Sequence, residues 1–278
     1  MVAAAAHRTV TLAHFSDTHV VPDGDRVEGR VDSGAMLAAA VDAAARMDPP
    51  PDALLLSGDL ADHGSPAEYA RLRTLLAPLV CPVFALPGNH DAREPLRAAF
   101  ADQPWAAPAH DPALAPFVQF TADLGGLRLI GLDSVVPGAA HGVLCTARLA
   151  WLARTLAAAP DVPTLVALHH PPFATGVAAM DDAGLREGAA ELEAIVARHP
   201  QVERVLAGHV HRPIQRRFGG TLALTAPSTA HQIVLDLRPT GACCLVMEPP
   251  GFLVHRFDGH GVVSHQVVVG DWGPAVPF

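Results

Sequence analysis

The sequence predicts a layered α/β domain followed by a smaller β-rich segment. Short apolar runs alternate with alanine- and leucine-rich helical segments through the first 210 residues, and this helical patterning stops near residue 213. Alternation of strands and helices is typical of βαβ units, in which helices cover a mostly parallel sheet. We therefore expect one large α/β domain with a β-rich end.

Six apolar runs are predicted as the strands of the α/β part. They are almost continuously apolar, as expected for strands that are covered on both faces. In chain order they are TVTLAHF (9–15), ALLL (53–56), PVFAL (82–86), LRLIGL (127–132), PTLVAL (163–168) and VERVLA (202–207).

Four segments between these runs carry apolar residues at helical spacing. They are residues 33–47, 65–79, 146–159 and 185–199. The pair Ser65-Pro66 and the residue Thr146 suit the first positions of helices. These segments are predicted to be the helices that cover the sheet.

The last part of the chain has a different sequence pattern. The runs IQRRF, TLALT, QIVLDL, CCLVME and FLVHRF follow one another and are separated by Gly and Pro. This pattern indicates antiparallel strands or hairpins. We expect a main domain over residues 1–238 and a β-rich extension over residues 239–278, which is a candidate dimerisation element.

Composition narrows the possible partners and location. The formal net charge is -9, and the longest run of basic residues is the pair Arg216–Arg217, so no basic stripe for a nucleic-acid polymer is expected. No apolar run approaches the roughly 18 residues of a membrane span. The N-terminus lacks the pattern of a signal peptide, and the four cysteines lack metal-type or secretory spacing. We expect a cytoplasmic protein without a membrane partner.

Polar side chains follow the ends of five predicted strands. They are Asp17 and His19, then Asp59 and Asp62, then Asn89 and His90, then His169 and His170, and finally His209 and His211. Open α/β sheets gather their ligands at the carboxyl ends of the strands. The five clusters are therefore predicted to converge on one site.

Each cluster alone has an ordinary structural explanation. Two residues apart in extended chain, Asp17 and His19 would project from one face, but Asp17 could also cap a turn beside an incidental histidine. Either His169 or His170 could be a core histidine. Asn89 could form a turn, although it is the only asparagine in the chain and offers a neutral carbonyl oxygen.

Together the clusters indicate a metal centre. The candidate ligands are Asp17, His19, Asp59, Asn89, His169, His209 and His211. Seven ligands are too many for one tetrahedral ion and suit two ions about 3.5–4 Å apart, with one carboxylate between them. Carboxylate, amide and imidazole ligands without sulfur favour Mn, Fe, Zn or Co.

Five motifs carry a resemblance to a known family. In order, D-x-H, G-D-x-x-D, G-N-H-D, H-H-P-P and G-H-x-H fall between residues 17 and 211. The chain resembles the calcineurin-like metallophosphoesterases. That resemblance implies a four-layer α/β/β/α sandwich, with its catalytic domain in residues 1–238 and a small C-terminal β extension.

The resemblance also implies a role for each motif residue. Asp17, His19 and His211 would bind the first ion, Asn89, His169 and His209 the second, and Asp59 would bridge them. His90 would lie over the substrate phosphate as the catalytic residue, and Asp62 would support the site without binding an ion. His170 is expected to be structural.

Two further segments are similar to one branch of that family. They are MDDAGLREGAAELEAIVARHPQVERVLAGHVH and TAPSTAHQ. They look like bacterial class III cyclic-nucleotide phosphodiesterases and glycerophosphodiesterases. This implies hydrolysis of small phosphodiesters, foremost 3′,5′-cAMP, by a hydroxide that two ions hold, in a homo-oligomer (a dimer or larger). Glycerophosphodiesters are the alternative substrates, and a nuclease or a non-catalytic scaffold are the remaining alternatives.

Overall fold

The computed structural model describes residues 9–274 and 276–277. Its strands are β1 (Val10–Phe15), β2 (Ala53–Leu56), β3 (Val83–Ala85), β4 (Phe120–Asp123), β5 (Arg128–Leu132), β6 (Gly142–Val143), β7 (Thr164–Leu168), β8 (Leu185–Glu187), β9 (Val202–Ala207), β10 (Ile214–Phe218), β11 (Thr221–Thr225), β12 (Gln232–Ile233), β13 (Leu245–Val246), β14 (Gly251–Phe257) and β15 (Val262–Val268). Its helices are α1 (Ser33–Ala45), α2 (Pro66–Leu76), α3 (Arg93–Ala99), α4 (Thr146–Ala157), α5 (Ala178–Asp181) and α6 (Ala189–Ala197), with a 3-10 turn at Pro104–Ala106.

The first large sheet has the strand order β15-β14-β1-β2-β3. Strands β1, β2 and β3 run parallel, whereas β14 is antiparallel to β1 and β15 is antiparallel to β14. The carboxyl ends of β1, β2 and β3 therefore meet at one edge of the sheet. The loops that follow these three strands start side by side.

The second large sheet has the order β10-β11-β9-β7-β5-β4. Its four central strands, β11, β9, β7 and β5, are parallel, and the edge strands β10 and β4 are antiparallel to their neighbours. The carboxyl ends of β7 and β9 lie next to each other. The five strands that precede the predicted ligand clusters are thus divided between the two sheets.

The two sheets pack face to face between helices. In β7, Leu165 and Ala167 join the core cluster that includes β1, β2, α1 and α2, whereas Val166 and Leu168 join a second cluster with α4 and α6. Successive side chains of a strand point to opposite faces, so the second sheet has the first sheet on one side and helices on the other. This arrangement confirms the predicted α/β sandwich.

One predicted helix begins later than its sequence pattern suggested. Residues 185–199 were expected to be helical, but Leu185–Glu187 form the short strand β8, which pairs with β6, and α6 begins at Ala189. Gly188 separates the two elements with a φ of 87°, which is a left-handed conformation that glycine adopts easily. A glycine at this point ends the strand and starts the helix. In contrast, α2 begins after Ser65 with a capping box to Glu68, as the Ser65-Pro66 pair predicted.

The predicted C-terminal extension contributes strands to the first sheet. Its strand β14 pairs with β1 in the register Val10↔Phe257, and β15 forms the outer edge beyond β14. Of the runs QIVLDL and CCLVME, only Gln232–Ile233 and Leu245–Val246 form strands, which pair with each other. The boundary near residue 239 and the role of the extension in dimerisation stay predictions.

Among the described residues, none of the helices combines the length and the hydropathy that crossing a bilayer requires.

Candidate metal centre

The five predicted clusters meet at one place between the two sheets. The loops after β1, β2 and β3 come from the first sheet, and the loops after β7 and β9 come from the second. The buried side chains that these loops bring together include Asp17, His19, Asp59, His169, His209 and His211. Asn89 reaches the same place, because its Oδ1 atom lies 3.2 Å from Nε2 of His169. All seven predicted ligands are therefore neighbours.

Backbone hydrogen bonds hold the first two loops together. The Asp17 N–H donates to the Gly58 carbonyl at 3.0 Å, and the His19 N–H donates to the Asp59 carbonyl at 2.9 Å. These bonds continue the pairing of β1 with β2 past the ends of both strands. They therefore fix the backbone positions of Asp17, His19 and Asp59 just beyond the ends of the two strands.

Most candidate ligands have a backbone conformation that the sequence analysis did not expect. Positive φ angles occur at Asp17 (53°), His19 (42°), Asp59 (50°), His209 (71°) and His211 (53°). The expectation that Asp17 and His19 lie in extended chain is therefore wrong. The chain turns sharply at each of these residues, which lets side chains from loops rather than strands point inward. Such left-handed conformations are uncommon outside glycine and cluster at functional sites.

Three glycines beside these residues leave no room for a side chain. A Cβ on Gly58 would lie 2.6 Å from Cγ of His169, and one on Gly88 would lie 2.8 Å from Cγ of Asp59. A Cβ on Gly208 would lie 2.9 Å from Oδ2 of Asp17. These glycines of the G-D, G-N and G-H motifs let the loops approach one another closely.

One group of donor atoms surrounds His19 and His211. Their Nε2 atoms are 3.2 Å apart, Nε2 of His211 is 3.5 Å from Oδ1 of Asp17, and Nε2 of His19 is 3.9 Å from Oδ2 of Asp59. Two atoms that bind one ion at about 2.1 Å are roughly 3.0–3.5 Å apart in octahedral or tetrahedral geometry. The first two distances fit donors to one shared ion. The distance between His19 and Asp59 is longer than that range.

A second group surrounds His169. Its Nε2 atom is 3.2 Å from Oδ1 of Asn89 and 3.3 Å from Oδ2 of Asp59. The ring of His209 lies beside it, with 5.1 Å between the ring centroids. Both ring nitrogens of His209 are buried and have no hydrogen-bond partner. Burying an imidazole without a hydrogen-bond partner costs free energy. A bound cation would supply the missing partner of His209.

The hydrogen bonds of three histidines leave one particular nitrogen available. Nδ1 of His19 lies 2.9 Å from the Asp62 carboxylate, Nδ1 of His169 lies 2.8 Å from the Ser57 carbonyl, and Nδ1 of His211 lies 2.9 Å from the His231 carbonyl. These oxygens only accept, so each Nδ1 carries a proton, and a ring in its neutral form has its lone pair on Nε2. This is the usual arrangement of metal-binding histidines.

The electrostatics of the buried groups also favour a cation. Burial raises the pKa of Asp17 to about 6, and the negative charge of Asp59 adds to that rise against the opposing charge of His169. For His169, burial lowers the pKa, but the attraction of Asp59 outweighs it and raises the pKa to about 9. The neighbouring carboxylates of Asp17 and Asp59 repel each other when both are ionised. Divalent ions would remove that repulsion, so the residues fit the metals that the sequence predicts.

His90 lies outside the two donor groups above, although together with His19 and Asp62 it forms a further group of side chains close enough to hold an ion. Its side chain is 41% exposed, its Nδ1 atom is 2.8 Å from the Asp62 carbonyl, and its ring is 4.7 Å from that of His19. Its backbone N–H donates to Oδ1 of Asp59 at 2.9 Å. The ring therefore covers the donor groups from the solvent side.

A cavity of about 300 Å³ opens over the donor groups. Its lining includes Asp59, Asn89, His90 and the site histidines, together with less polar residues such as Val27, Met180, Ile233 and Cys243. The cavity therefore offers both polar and apolar contacts.

Two residues that organise the site have no role predicted from the sequence. The Asp91 carboxylate accepts hydrogen bonds from the backbone N–H groups of Leu60, Ala61 and Gly88 and from the Tyr69 hydroxyl, and so ties the loop after β2 to the loop after β3. His231 packs its ring 4.6 Å from that of His211. Both lie in segments quoted for their resemblance, G-N-H-D and TAPSTAHQ. His170 is hydrogen-bonded to Ser134 and to the Ala140 carbonyl, and its structural role stays a prediction.

Comparisons with known proteins identify the family and the fold of the chain. The model of the calcineurin-like phosphoesterase family matches residues 10–213. The chain is 32% identical over 268 residues to the probable glycerophosphodiester phosphodiesterase GpdQ of Arcobacter nitrofigilis, with 96% of each chain covered. It is 37% identical over 244 residues to a probable cyclic nucleotide phosphodiesterase of Synechococcus sp., with 87% of this chain and 89% of that protein covered. A solved dimetal phosphatase from Danio rerio shares the fold, with a TM-score of 0.66 at 14% identity over 94% of this chain and 99% of that one.

Proposed function

We infer the function from one premise, that the chain belongs to the calcineurin-like phosphoesterase family. It is a metal-dependent phosphodiesterase, as the family and the names of both curated relatives indicate. We propose that its substrates are small phosphodiesters, foremost 3′,5′-cyclic nucleotides. The observation that carries the proposal is the division of seven donor residues into two groups around Asp59.

Two divalent ions, drawn from Mn, Fe, Zn or Co, are the proposed cofactors. Asp17, His19 and His211 would hold the first ion, Asn89, His169 and His209 the second, and Asp59 would be shared. When bound, such ions neutralise phosphate oxygens and lower the pKa of water to about 7. The hydrogen bonds at Nδ1 of His19, His169 and His211 turn their Nε2 atoms toward the donor groups, which orients these ligands before an ion arrives.

His90 is the proposed catalytic residue outside the ligand set. With Nδ1–H donated to the Asp62 carbonyl, its Nε2 atom is free toward the cavity. Nε2 can donate to a substrate oxygen only when the ring carries both protons. A protonated His90 would give a hydrogen bond or a proton to the leaving oxygen, a contribution that is typically about 10²–10⁴-fold.

The cavity favours a nucleotide over a choline ester. Val27, Met180 and Ile233 are among its lining residues and offer apolar contact to a base or sugar. Quaternary ammonium groups are usually recognised by aromatic faces, and the only rings among the described residues of this cavity are imidazoles. The relative from Arcobacter nitrofigilis supports glycerophosphodiesters as the alternative. A net charge of -9 is unfavourable for a long polyanion, so a nuclease is a weaker candidate, as is a non-catalytic scaffold.

A substrate panel tests the proposal. Manganese-loaded protein would be assayed with 3′,5′-cAMP, 2′,3′-cAMP, glycerophosphocholine and a nitrophenyl diester, with Asp59→Asn as the inactive control. We expect the highest kcat/KM for a cyclic nucleotide and little turnover after chelation. Preference for glycerophosphocholine would select the alternative substrate class, and no turnover of any diester would contradict phosphodiesterase activity.

We further propose a homo-oligomer, a dimer or larger, that uses the extension over residues 239–278. Its strand β15 is an edge strand, and Val263 and Val268 on it are 53% and 42% exposed. Exposed edge strands tend to pair with other chains. A cytoplasmic location is supported by four free cysteines, since a reducing compartment keeps thiols unpaired.

A further inference from the structure

Two of the proposed ligands, Asp17 and His19, share an uncommon backbone conformation. Both have left-handed φ angles, 53° and 42°. Their N–H groups donate to the loop after β2, but among the described residues no backbone N–H donates to either of their carbonyl groups. A buried carbonyl without a donor costs free energy. The side chains that reach these two carbonyls are therefore the contacts that can hold both turns in place.

A buried serine hydroxyl reaches each carbonyl. Oγ of Ser228, in the loop after β11, donates to the Asp17 carbonyl at 2.7 Å. Oγ of Ser33, the first residue of α1, donates to the His19 carbonyl at 2.7 Å. Both serines are 0% exposed. Within the part of the chain that the structure describes, each carbonyl has this serine as its one hydrogen-bond donor.

The direction of these bonds follows from the groups themselves. A carbonyl oxygen only accepts, so each serine must donate. The Ser228 oxygen also accepts from the Ala230 N–H at 2.8 Å, which fixes this hydroxyl between one donor and one acceptor. Neither serine bond depends on the protonation of a carboxylate or an imidazole.

Ser228 also connects the two halves of the first metal site. Its N–H donates to the His211 carbonyl at 3.4 Å, and its own carbonyl accepts from the N–H of Gly251, the first residue of β14, at 3.1 Å. One residue is thus bonded to the backbone of Asp17, which follows a strand of the first sheet, and to that of His211, which follows a strand of the second. Ser228 takes no part in the steps proposed for catalysis.

We propose that Ser33 and Ser228 are positioning residues for the first metal site, each holding the carbonyl of one ligand. Uncommon backbone conformations persist only where the surrounding contacts fix them. Without its serine, the carbonyl would turn toward another donor, the left-handed φ would relax, and the ligand side chain would leave the donor group. Because Asp17 and His19 are proposed ligands, this inference rests on the proposed function.

Calorimetry with Mn²⁺ on the full chain tests whether the serines act at one site. His169→Ala should leave mainly the first site and His211→Ala mainly the second, so that each can be titrated alone. In the His169→Ala chain, we expect Ser228→Ala and Ser33→Ala each to lower the Mn²⁺ affinity about tenfold. In the His211→Ala chain, the same changes should leave the affinity unaltered. Losses of equal size in both chains would overturn the inference, since they would show a general loosening of the fold.

Thr229 provides a matched control beside Ser228. Its Oγ1 atom is equally buried but has no hydrogen-bond partner among the described residues. Thr229→Val removes this hydroxyl at similar volume and should leave the Mn²⁺ affinity unchanged, and urea unfolding shows that each variant is folded. A loss as large as that of Ser228→Ala would contradict the proposal, because any change in this segment would then disturb the site.

The metal-free chain gives a second measurement, which separates this inference from the proposed function. The three-bond NMR coupling between the amide hydrogen and Hα of a residue reports its φ angle. We expect Ser228→Ala to change this coupling at Asp17 and Ser33→Ala to change it at His19, whereas Thr229→Val should change neither. Unaltered couplings in both serine variants would overturn the inference. Failure of the unmodified chain to bind Mn²⁺ would instead overturn the proposed metal centre, while the couplings still decide whether the serines hold the turns.

Discussion

Oδ1 of Asp62 lies 2.9 Å from Nδ1 of His19, while the opposite nitrogen of the same ring lies 3.2 Å from Nε2 of His211. One side of the imidazole is therefore fixed by a carboxylate and the other faces the donor group. The carboxylate also makes Nε2 more basic, because it stabilises the proton on Nδ1.

Replacing Asp62 should therefore weaken metal binding without removing a ligand. We expect Asp62→Ala to lower the affinity for one Mn²⁺ ion by about 10–100-fold, measured by titration calorimetry. Asp258→Ala is the matched control, because Asp258 follows β14 at the opposite end of β1 from the site. Equal affinity in Asp62→Ala and the unmodified chain would contradict this role.

The shared position of Asp59 predicts a distinct stoichiometry for two substitutions. The unmodified chain should bind about two divalent ions, Asp59→Ala should disturb both, and His19→Ala should mainly remove one. Elemental analysis after desalting measures the content. A single tightly held ion at saturating metal in the unmodified chain would refute the two-ion centre.

The exposed ring of His90 predicts a loss that depends on the leaving group. His90→Ala should leave metal content unchanged and lower kcat by about 10²–10⁴-fold on cyclic AMP, whose leaving alkoxide needs a proton. The loss should be smaller on a nitrophenyl diester, since its leaving group needs none. Equal losses on both substrates would indicate phosphate binding alone, and lost metal would show that His90 contributes to metal binding.

The buried pair His14 and His255 predicts a loss of stability in acid. Burial, together with the charge of Arg204, lowers the pKa of His255 to about 3, so the folded chain keeps this ring neutral while the unfolded chain binds a proton below about 6.5. The free energy of unfolding therefore falls as pH falls between these values, by about 1.4 kcal/mol per pH unit. Between about pH 7 and pH 5, the free energy of unfolding of His255→Gln, measured by urea titration, should fall by about 2 kcal/mol less than that of the unmodified chain. An identical loss in both chains would show that His255 is not neutral in the fold.

The exposed face of β15 predicts self-association. At micromolar concentration, light scattering should give a mass of at least twice the 29.0 kDa of one chain. Val263→Glu should shift the distribution toward monomer, since it places a charge on the edge strand, whereas Val80→Glu changes a fully exposed residue elsewhere and should have no effect. A strict monomer of the unmodified chain would refute the proposed oligomer.

The sequence predicted the strands that carry the site because their apolar runs are local patterns. ALLL at 53–56 and VERVLA at 202–207 form strands with those bounds, and the polar residues just after them reach the site. The rule that ligands collect at the carboxyl ends of strands needs no tertiary information. The role of each candidate ligand still stays a prediction until an ion is observed.

The features that the sequence did not predict depend on contacts between distant residues. His14 and His255 are 241 positions apart, so no local pattern relates them. Asp17 combines a left-handed conformation with a backbone bond to Gly58 on another loop, and no local pattern relates these two residues. A short apolar run also cannot be assigned to a helix or a strand by pattern alone, which is why Leu185–Glu187 was expected to be helical.

The backbone bonds that join the loops after β1 and β2 have a consequence for how the site opens. The amide hydrogens of Asp17 and His19 are held by Gly58 and Asp59 in the same manner as the amides of the parallel strands below them. Such amides exchange with deuterium only when the sheet itself separates. The amides of the ligand loops should therefore exchange as slowly as those of the core strands even after chelation. The ligand loops are then already ordered when an ion binds, and binding does not require a loop to fold first.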